Sequence, residues 1–469
     1  QEHFLIIKHL QLVLHPVHTN PDMAIGIRPF QRFKAHIFGS HAHIVHTGTD
    51  GFPIPRFARL RRNALRPSIG PTNFPFHESK LGGIWSELGG MFGIYIHIPF
   101  CRTACHYCDF HFSTNTQTME AMEAALVKEL ELRIAAEKPD LGQLQSIYFG
   151  GGTPSLFTLS GLRALLSRLL PHAPNCREVT LEANPEDVNS DRLKAWLEMG
   201  INRLSIGLQS FDQNRLDWMN RQHSAEDAAA AVHLAAEAGF THISADLIYG
   251  LPNRTLSFED ELKQFVALPV DHLSAYILTV EDRTVLGRRV EQGAQAVPED
   301  DAVEAEYRRL CEAMAKAGFE HYEVSNWAKP GGHAVHNQHY WSGLPYWGIG
   351  PGAHGFDGAR RYANVANNPK YIRALADASS AEDVPSEAEA LTPTDRYNES
   401  LMTGLRTAQG IDLTALSNHF GLRPDATEPE AWRRLLNQGI LKEIGSGVYR
   451  IAEPHWVMAD AIAAELFVA

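Results

Sequence analysis

The chain has 469 residues, 44% of them apolar and 21% charged, which is ordinary for a folded globular protein and long enough for a large domain plus a smaller one. The net charge of −13 argues against broad nucleic-acid binding, and no run approaches eighteen unbroken apolar residues, which argues against stable membrane insertion. Five cysteines, three of them within eight residues, do not resemble the disulfide frame of a secreted protein, so a reducing cytoplasm is expected.

Residues 1–90 stand apart. They hold ten Lys/Arg against five Asp/Glu and nine of the 24 histidines, about +5 in charge against about −18 for the rest. Stretches such as "PRFARLRRNALRP" show no sustained helical or strand period, so a poorly ordered extension is expected, with metal, membrane or RNA contact as the alternatives. The chain begins with Gln1, and Met91 immediately precedes the first strand. The expected translation start is therefore Met91, with 1–90 upstream.

From Met91 the pattern is regular. "FGIYIHIP" reads as a strand, followed by a helix over 119–137, the strand "SIYFGGGTP", a helix near 159–170, "EVTLEANP", a helix near 190–199, and "RLSIGLQS". A helix over 225–238, the strand "HISADLIYGLP", a helix near 258–268 and the strand "HLSAYILTV" complete six alternating units. Such alternation predicts parallel pairing and an α/β fold, a partial (β/α)6 TIM-type barrel with an open sheet as the alternative. Chemistry-bearing residues fall at the carboxyl ends of the strands, where such barrels build their sites.

The first strand runs into "CRTACHYCDF", a Cys-x3-Cys-x2-Cys loop made by Cys101, Cys105 and Cys108. Three thiolates can hold three corners of an iron–sulfur cluster and leave one iron open. A zinc site is the alternative, with His106 or His111 as a fourth ligand. Cys176 and Cys311 read as buried apolar thiols.

This loop, with "YFGGGTPS", "LEANP", "RLSIGLQS", "DLIYGLP", "YEVSNWA" and "HNQHYW" in order, resembles the radical S-adenosylmethionine (SAM) superfamily, and within it the HemN-like group. That group contains oxygen-independent coproporphyrinogen III oxidases and a branch of heme chaperones. The resemblance implies a [4Fe–4S] cluster on Cys101, Cys105 and Cys108, and a SAM site formed by Tyr95, Gly151, Gly152, Thr153, Glu182, Gln209, Arg221 and Asp246. Phe110 stands where the oxidases continue to another cysteine, and "YCDF" resembles the chaperone branch. The oxidases' N-terminal segment has no convincing counterpart in 1–90. "HNQHYWSGLPYWGIGPGAHG" matches the chaperones' HNxxYW pattern, implying heme contacts by His336 and Tyr340, with His354 as a weaker candidate; otherwise the stretch covers the barrel's open side.

The expected organisation is a radical-SAM partial barrel over 91–290, a covering segment over 291–390 and a helical, winged-helix-like HemN-type domain over 391–469. The expected function is a heme chaperone that carries a radical-SAM cluster and delivers heme to heme-requiring apoproteins. The alternative is oxidative decarboxylation of coproporphyrinogen III in porphyrin biosynthesis. No nucleic-acid partner is expected, and a homodimer is left open.

Overall fold

The computed structural model of the chain describes residues 90–468. The expectations for the basic, histidine-rich leader fall on residues outside these.

Six strands form the centre of the sheet: β1 (Phe92–Ile98), β2 (Leu144–Gly151), β3 (Glu178–Ala183), β4 (Arg203–Gln209), β5 (His242–Tyr249) and β6 (His272–Ile277). All neighbours in this run pair in parallel, in sequence order. Their crossovers carry α1 (Met119–Glu137), α2 (Leu159–Leu169), α3 (Ser190–Glu198), the pair α4 (Gln213–Met219) and α5 (Ala225–Glu237), and α6 (Phe258–Val266). The strands are buried almost throughout, as parallel strands covered on both faces must be. Thr158, Asn189, Asp212, Ser224 and Ser257 each accept a backbone amide and so start α2 to α6 at defined points. Of these helices only α4, seven residues long, had no counterpart in the sequence reading.

Segment 291–390, expected to cover the barrel, contributes strands to both edges of its sheet. After α7 (Val285–Glu291) and α8 (Asp300–Lys316), β7 (Glu320–Glu323) and β8 (Asn326–Ala328) extend the β6 edge. Beyond α9 (Val335–Trp341), β9 (Tyr346–Ile349) pairs in parallel with β1, and β10 (His354–Phe356), β11 (Arg360–Asn364) and β12 (Ser386–Ala390) continue from it. The strand order is β12-β11-β10-β9-β1-β2-β3-β4-β5-β6-β8-β7. Between β11 and β12 lies α10 (Asn368–Asp377).

The remainder contains α11 (Pro393–Leu405), β13 (Ile411–Asp412), α12 (Leu413–Phe420), α13 (Pro424–Thr427), α14 (Pro429–Asn437), β14 (Leu441–Gly445), β15 (Val448–Ile451) and α15 (Ala459–Ala464). The last strands form a three-stranded sheet in the order β13-β15-β14, with a hairpin turn at Gly447, whose φ is +76°. Helices followed by a small β-hairpin are the winged-helix-like pattern expected. No helix among the described residues is long and apolar enough to cross a membrane.

A buried carboxylate joins the β1 edge to its extension. Glu129 Oε1 on α1 accepts from Arg133 Nε at 2.9 Å and Asn364 Nδ2 at 2.8 Å, while Oε2 accepts from the Gly350 amide at 2.8 Å and from the Tyr371 hydroxyl. All four lone-pair directions are used, which a fully buried carboxylate needs. Glu129→Ala removes the nearer carboxylate of buried Arg133, leaving it only Glu137 at 3.7 Å, and orphans the Gly350 amide and the Tyr371 hydroxyl. It should therefore lower unfolding free energy by about 3–5 kcal/mol, read by chemical denaturation.

Candidate functional site

The cysteine loop leaves β1 through Phe100 and meets the end of β2, where Gly152 donates its amide to Ile98 O at 2.9 Å. A Cβ on Gly152 would stand 2.6 Å from Phe100 O, and one on Gly151 (φ +116°) would stand 2.7 Å from the His97 ring. The glycines therefore allow two strand ends to meet at backbone contact, beneath the thiols. His97 continues this support. Its Nε2 meets His111 O at 2.8 Å and its Nδ1 meets the Tyr95 hydroxyl at 3.1 Å, while burial pushes its pKa down to about 3 and keeps it neutral.

Other elements fix the rest of the loop. Arg102 pairs with the buried Asp187, which also accepts from Ser155 Oγ at 2.8 Å. The His106 amide bonds Met219 O, its Nδ1 lies 2.7 Å from Trp218 O, and its carbonyl accepts from the Leu286 amide. Asn220, with φ +64°, caps the end of α4 and donates to Ala104 O at 2.8 Å. The short helix absent from the sequence reading thus holds the cysteine loop.

Cys101, Cys105, Cys108, Gly151, Gly152, Thr153 and Arg221 line one cavity that opens to solvent, with Tyr107, Phe110 and Phe112 in its wall. Burial pushes the Cys101 thiol up to about 11 and the Cys108 thiol higher still. Replacing the thiol protons by iron is the change such a low-dielectric pocket favours. Thr153 Oγ1 donates to Cys101 Sγ at 3.5 Å, and Arg221 Nη1 to Cys105 Sγ at 3.7 Å. Burial acts to lower the Arg221 pKa, but Tyr107, Cys105 and Glu186 outweigh it and keep the guanidinium charged.

The donor chemistry favours a polynuclear cluster over single zinc. One zinc ion draws its ligand atoms to within about 4 Å of one another, whereas a cluster spreads its thiolates over separate irons. Among the described residues, the group of three ligand atoms gathered within 4.8 Å is Cys311, His321 and Glu453, not the loop cysteines. His106 and His111 are engaged elsewhere, His111 Nε2 with Asn368 Oδ1 at 2.7 Å.

Of the remaining SAM candidates, Glu182 touches the cavity's lining. Glu182 accepts from the Gly151 amide at 3.2 Å and from the Tyr148 hydroxyl at 2.9 Å. Arg221 Nη2 donates to Asn184 Oδ1 at 2.8 Å and Gly207 O at 2.9 Å. Gln209 sits at the β4 terminus with φ +68°, and its buried Oε1 has no partner among the described residues. A non-glycine residue in that region is strained, and an orphaned buried acceptor is costly, so both fit a polar ligand that donates there. Asn184, in "LEANP", also lines the cavity and escaped the sequence reading, although its place two residues after Glu182 was the available signal.

Tyr95 and Asp246 lie deeper. Tyr95 stacks on Tyr148, with ring centroids 6.1 Å apart. Asp246 accepts from Ser205 Oγ at 3.0 Å, and burial, then Glu182, push its pKa up to about 7.

His336 and Tyr340 lie on α9, outside the cysteine cavity. His336 is fully buried, its Nδ1 2.8 Å from Ser146 Oγ and its Nε2 2.6 Å from the Tyr340 hydroxyl, with its ring stacked on Tyr148 at 5.1 Å. Both imidazole nitrogens are thus occupied in this conformation. His354 lies on β10. Cys176 and Cys311 are half-buried rather than enclosed.

Residues 95–266 match the Radical SAM superfamily and 391–449 match the HemN C-terminal domain. Heme chaperone HemW of Mycobacterium tuberculosis is 37% identical over 393 residues, 82% of this chain and 96% of that protein. HemW of Bacillus subtilis is 34% identical, over 76% of this chain and 94% of its own length.

The chain belongs to the HemW family of radical SAM proteins.

The crystal structure of Escherichia coli coproporphyrinogen III oxidase, HemN, is similar with a TM-score of 0.69, over 81% of this chain and 90% of that one. At 21% identity this likeness shows the shared fold. Radical SAM membership brings a [4Fe–4S] cluster and SAM as cofactors, and the three thiols, the glycine cradle and the orphaned Gln209 acceptor fit them.

Asp246 provides a pH test. Its unfolded pKa is about 3.9, so the folded state holds the extra proton and stability falls as pH rises from about 4 towards 7. Denaturant unfolding of the cluster-free protein should show Asp246→Asn gaining on the parent by up to about 4 kcal/mol between pH 4 and pH 8. An equal difference at both pH values would refute the assignment.

Proposed function

We propose that this protein is a cytoplasmic heme-binding chaperone that delivers heme to apoproteins, with the [4Fe–4S] cluster and SAM at the carboxyl end of its barrel. The observation that carries this reading is the match to HemW proteins along nearly their whole length at 34–37% identity, against 21% to the oxidase. Phe110 supports it, because this apolar ring lies in the cavity wall two residues after the third cysteine, where the oxidases continue to another cysteine.

When bound, the cluster and SAM supply reducing electrons and a source of a carbon radical. The chain's own residues bind and orient. Cys101, Cys105 and Cys108 would hold iron; Gly151 and Gly152 let the end of β2 seat against His97 and Phe100 beneath the loop; Gln209 accepts from a ligand donor; and Arg221 offers fixed positive charge beside Cys105. Tyr107, Phe110 and Phe112 limit water around the thiols.

The reading assigns heme contact to His336 and Tyr340. Iron ligation through His336 Nε2 requires Tyr340 to release it, so the hydroxyl acts as a latch. Tyr340→Phe should then strengthen heme binding by about 5–10-fold, the worth of one hydrogen bond, and His336→Ala should weaken it. Weaker binding on Tyr340→Phe would place the axial ligand elsewhere.

The function itself is tested by assaying anaerobically reconstituted protein for both activities. The expected result is stoichiometric heme binding with no decarboxylation of coproporphyrinogen III when SAM and reductant are present. Cys101→Ala should abolish the cluster and retain at least part of the heme binding. Formation of protoporphyrinogen would restore the oxidase reading.

A further inference from the structure

The barrel's β7 edge carries a second group of ligand-type side chains, unrelated to the cysteine loop. Cys311 on α8, His321 on β7 and Glu453 just after β15 place one ligand atom each within 4.8 Å of the others. His321 Nδ1 lies 2.7 Å from Glu453 Oε1 and 4.0 Å from Cys311 Sγ. We propose that Cys311, His321 and Glu453 bind one Zn²⁺ and so staple the C-terminal domain to the edge of the barrel sheet.

The ring of His321 is held for this role. It stacks on Trp327 at 3.9 Å and 13°, and Trp456 closes on it edge-on at 4.4 Å. Both tryptophans are fully buried, so the imidazole cannot turn away. Its Nε2 lies 3.4 Å from the Val324 carbonyl, leaving Nδ1 as the nitrogen that faces the cysteine and the carboxylate. Fixing one ring nitrogen on a backbone carbonyl and presenting the other is how metal-bound histidines are oriented.

The distances suit the ion after a small adjustment. Zinc–ligand bonds of about 2.0–2.3 Å set neighbouring tetrahedral ligands about 3.3–3.7 Å apart. The two contacts at His321 Nδ1, 2.7 and 4.0 Å, fall on either side of that spacing. Glu453, whose side chain is 47% exposed, is the partner able to move, and its exposure leaves a fourth position open to water. One thiolate, one imidazole and one carboxylate form a borderline set that suits zinc better than magnesium or calcium. Binding releases the Cys311 thiol proton and any proton held between His321 and Glu453 to solvent, so the site gains occupancy as pH rises.

The placement gives the ion structural work. β7 is the terminal strand of the large sheet, and its outer edge, continued by Val324, meets the following domain through Val324 N to Arg406 O and Ala408 N to Tyr322 O, both at 3.0 Å. Glu453 follows the hairpin of that domain, and the Tyr307 hydroxyl on α8 donates to its backbone carbonyl at 3.4 Å. A metal here crosslinks helix, edge strand and domain at one point.

The test uses full-length, cluster-loaded protein, so that the loop cysteines are occupied by iron. One equivalent of Zn²⁺ is added anaerobically, loose metal is removed, and retained zinc is measured with its K-edge absorption spectrum. The expected result is about one zinc per chain, with one sulfur and otherwise nitrogen or oxygen neighbours. Cys311→Ser and Glu453→Gln, both near-isosteric, should each lower zinc affinity at least about 10-fold, with cluster absorption and circular dichroism unchanged. His321→Asn should do the same. Absent zinc retention, an all-sulfur shell, or retention unaltered in Cys311→Ser would overturn the proposal.

Discussion

The site depends on one close approach, the backbone of Gly152 against that of Phe100. The Gly152 amide reaches Ile98 O there, and a side chain of any kind would collide with the Phe100 carbonyl. This contact brings the ends of the first two parallel strands together and sets the cysteine loop above the glycine stretch. It turns two separate sequence motifs into one cavity. The loop is then held from the ends of β3, α4 and α7 by Asp187, Asn220, Trp218 and the Leu286 amide. Such anchoring holds the three half-buried thiols in place, and the raised pKa values of Cys101 and Cys108 keep those two protonated until a metal displaces the proton.

A second line of contacts runs below the cavity. Tyr340 meets His336, His336 stacks on Tyr148, Tyr148 donates to Glu182, and Glu182 accepts the Gly151 amide. The HNxxYW helix is therefore one ring and one carboxylate away from the glycine cradle. The start of α9 is tied down as well, since Glu178 accepts the Val335 and His336 amides while paired with Arg203. Movement at Tyr340 and His336 therefore has a physical route to Glu182 and the Gly151 amide.

Much of this was legible in the sequence, for identifiable reasons. Long apolar strands separated by capped amphipathic helices announce a parallel sheet, and β1 to β6 lie where that pattern places them. The thiol loop and the glycine stretch are legible because their chemistry demands particular residue types at fixed spacing. The short strands β7 to β12 were not legible, because runs of three to five residues carry too little periodicity and owe their pairing to the edges they join. For α4, seven residues gave no amphipathic repeat to read. The burial of His336 was equally hidden, since an aromatic-rich, histidine-bearing stretch suits an open pocket as well as a packed helix; Gly93 decides it, since a Cβ there would press on Ser146, His336 and His339. The left-handed Gln209 at a strand end is set by tertiary structure, and no local sequence signal marks it.

The central claim is that three thiols would hold a four-iron cluster and leave one iron without a protein thiolate, for SAM to bind. Mössbauer spectroscopy of protein reconstituted with 57Fe, recorded with and without SAM, tests it most directly. The account predicts that SAM changes the parameters of one iron in about four and leaves the thiolate-bound three unchanged. A spectrum indifferent to SAM, or iron content far below a full cluster with all three cysteines intact, would contradict it.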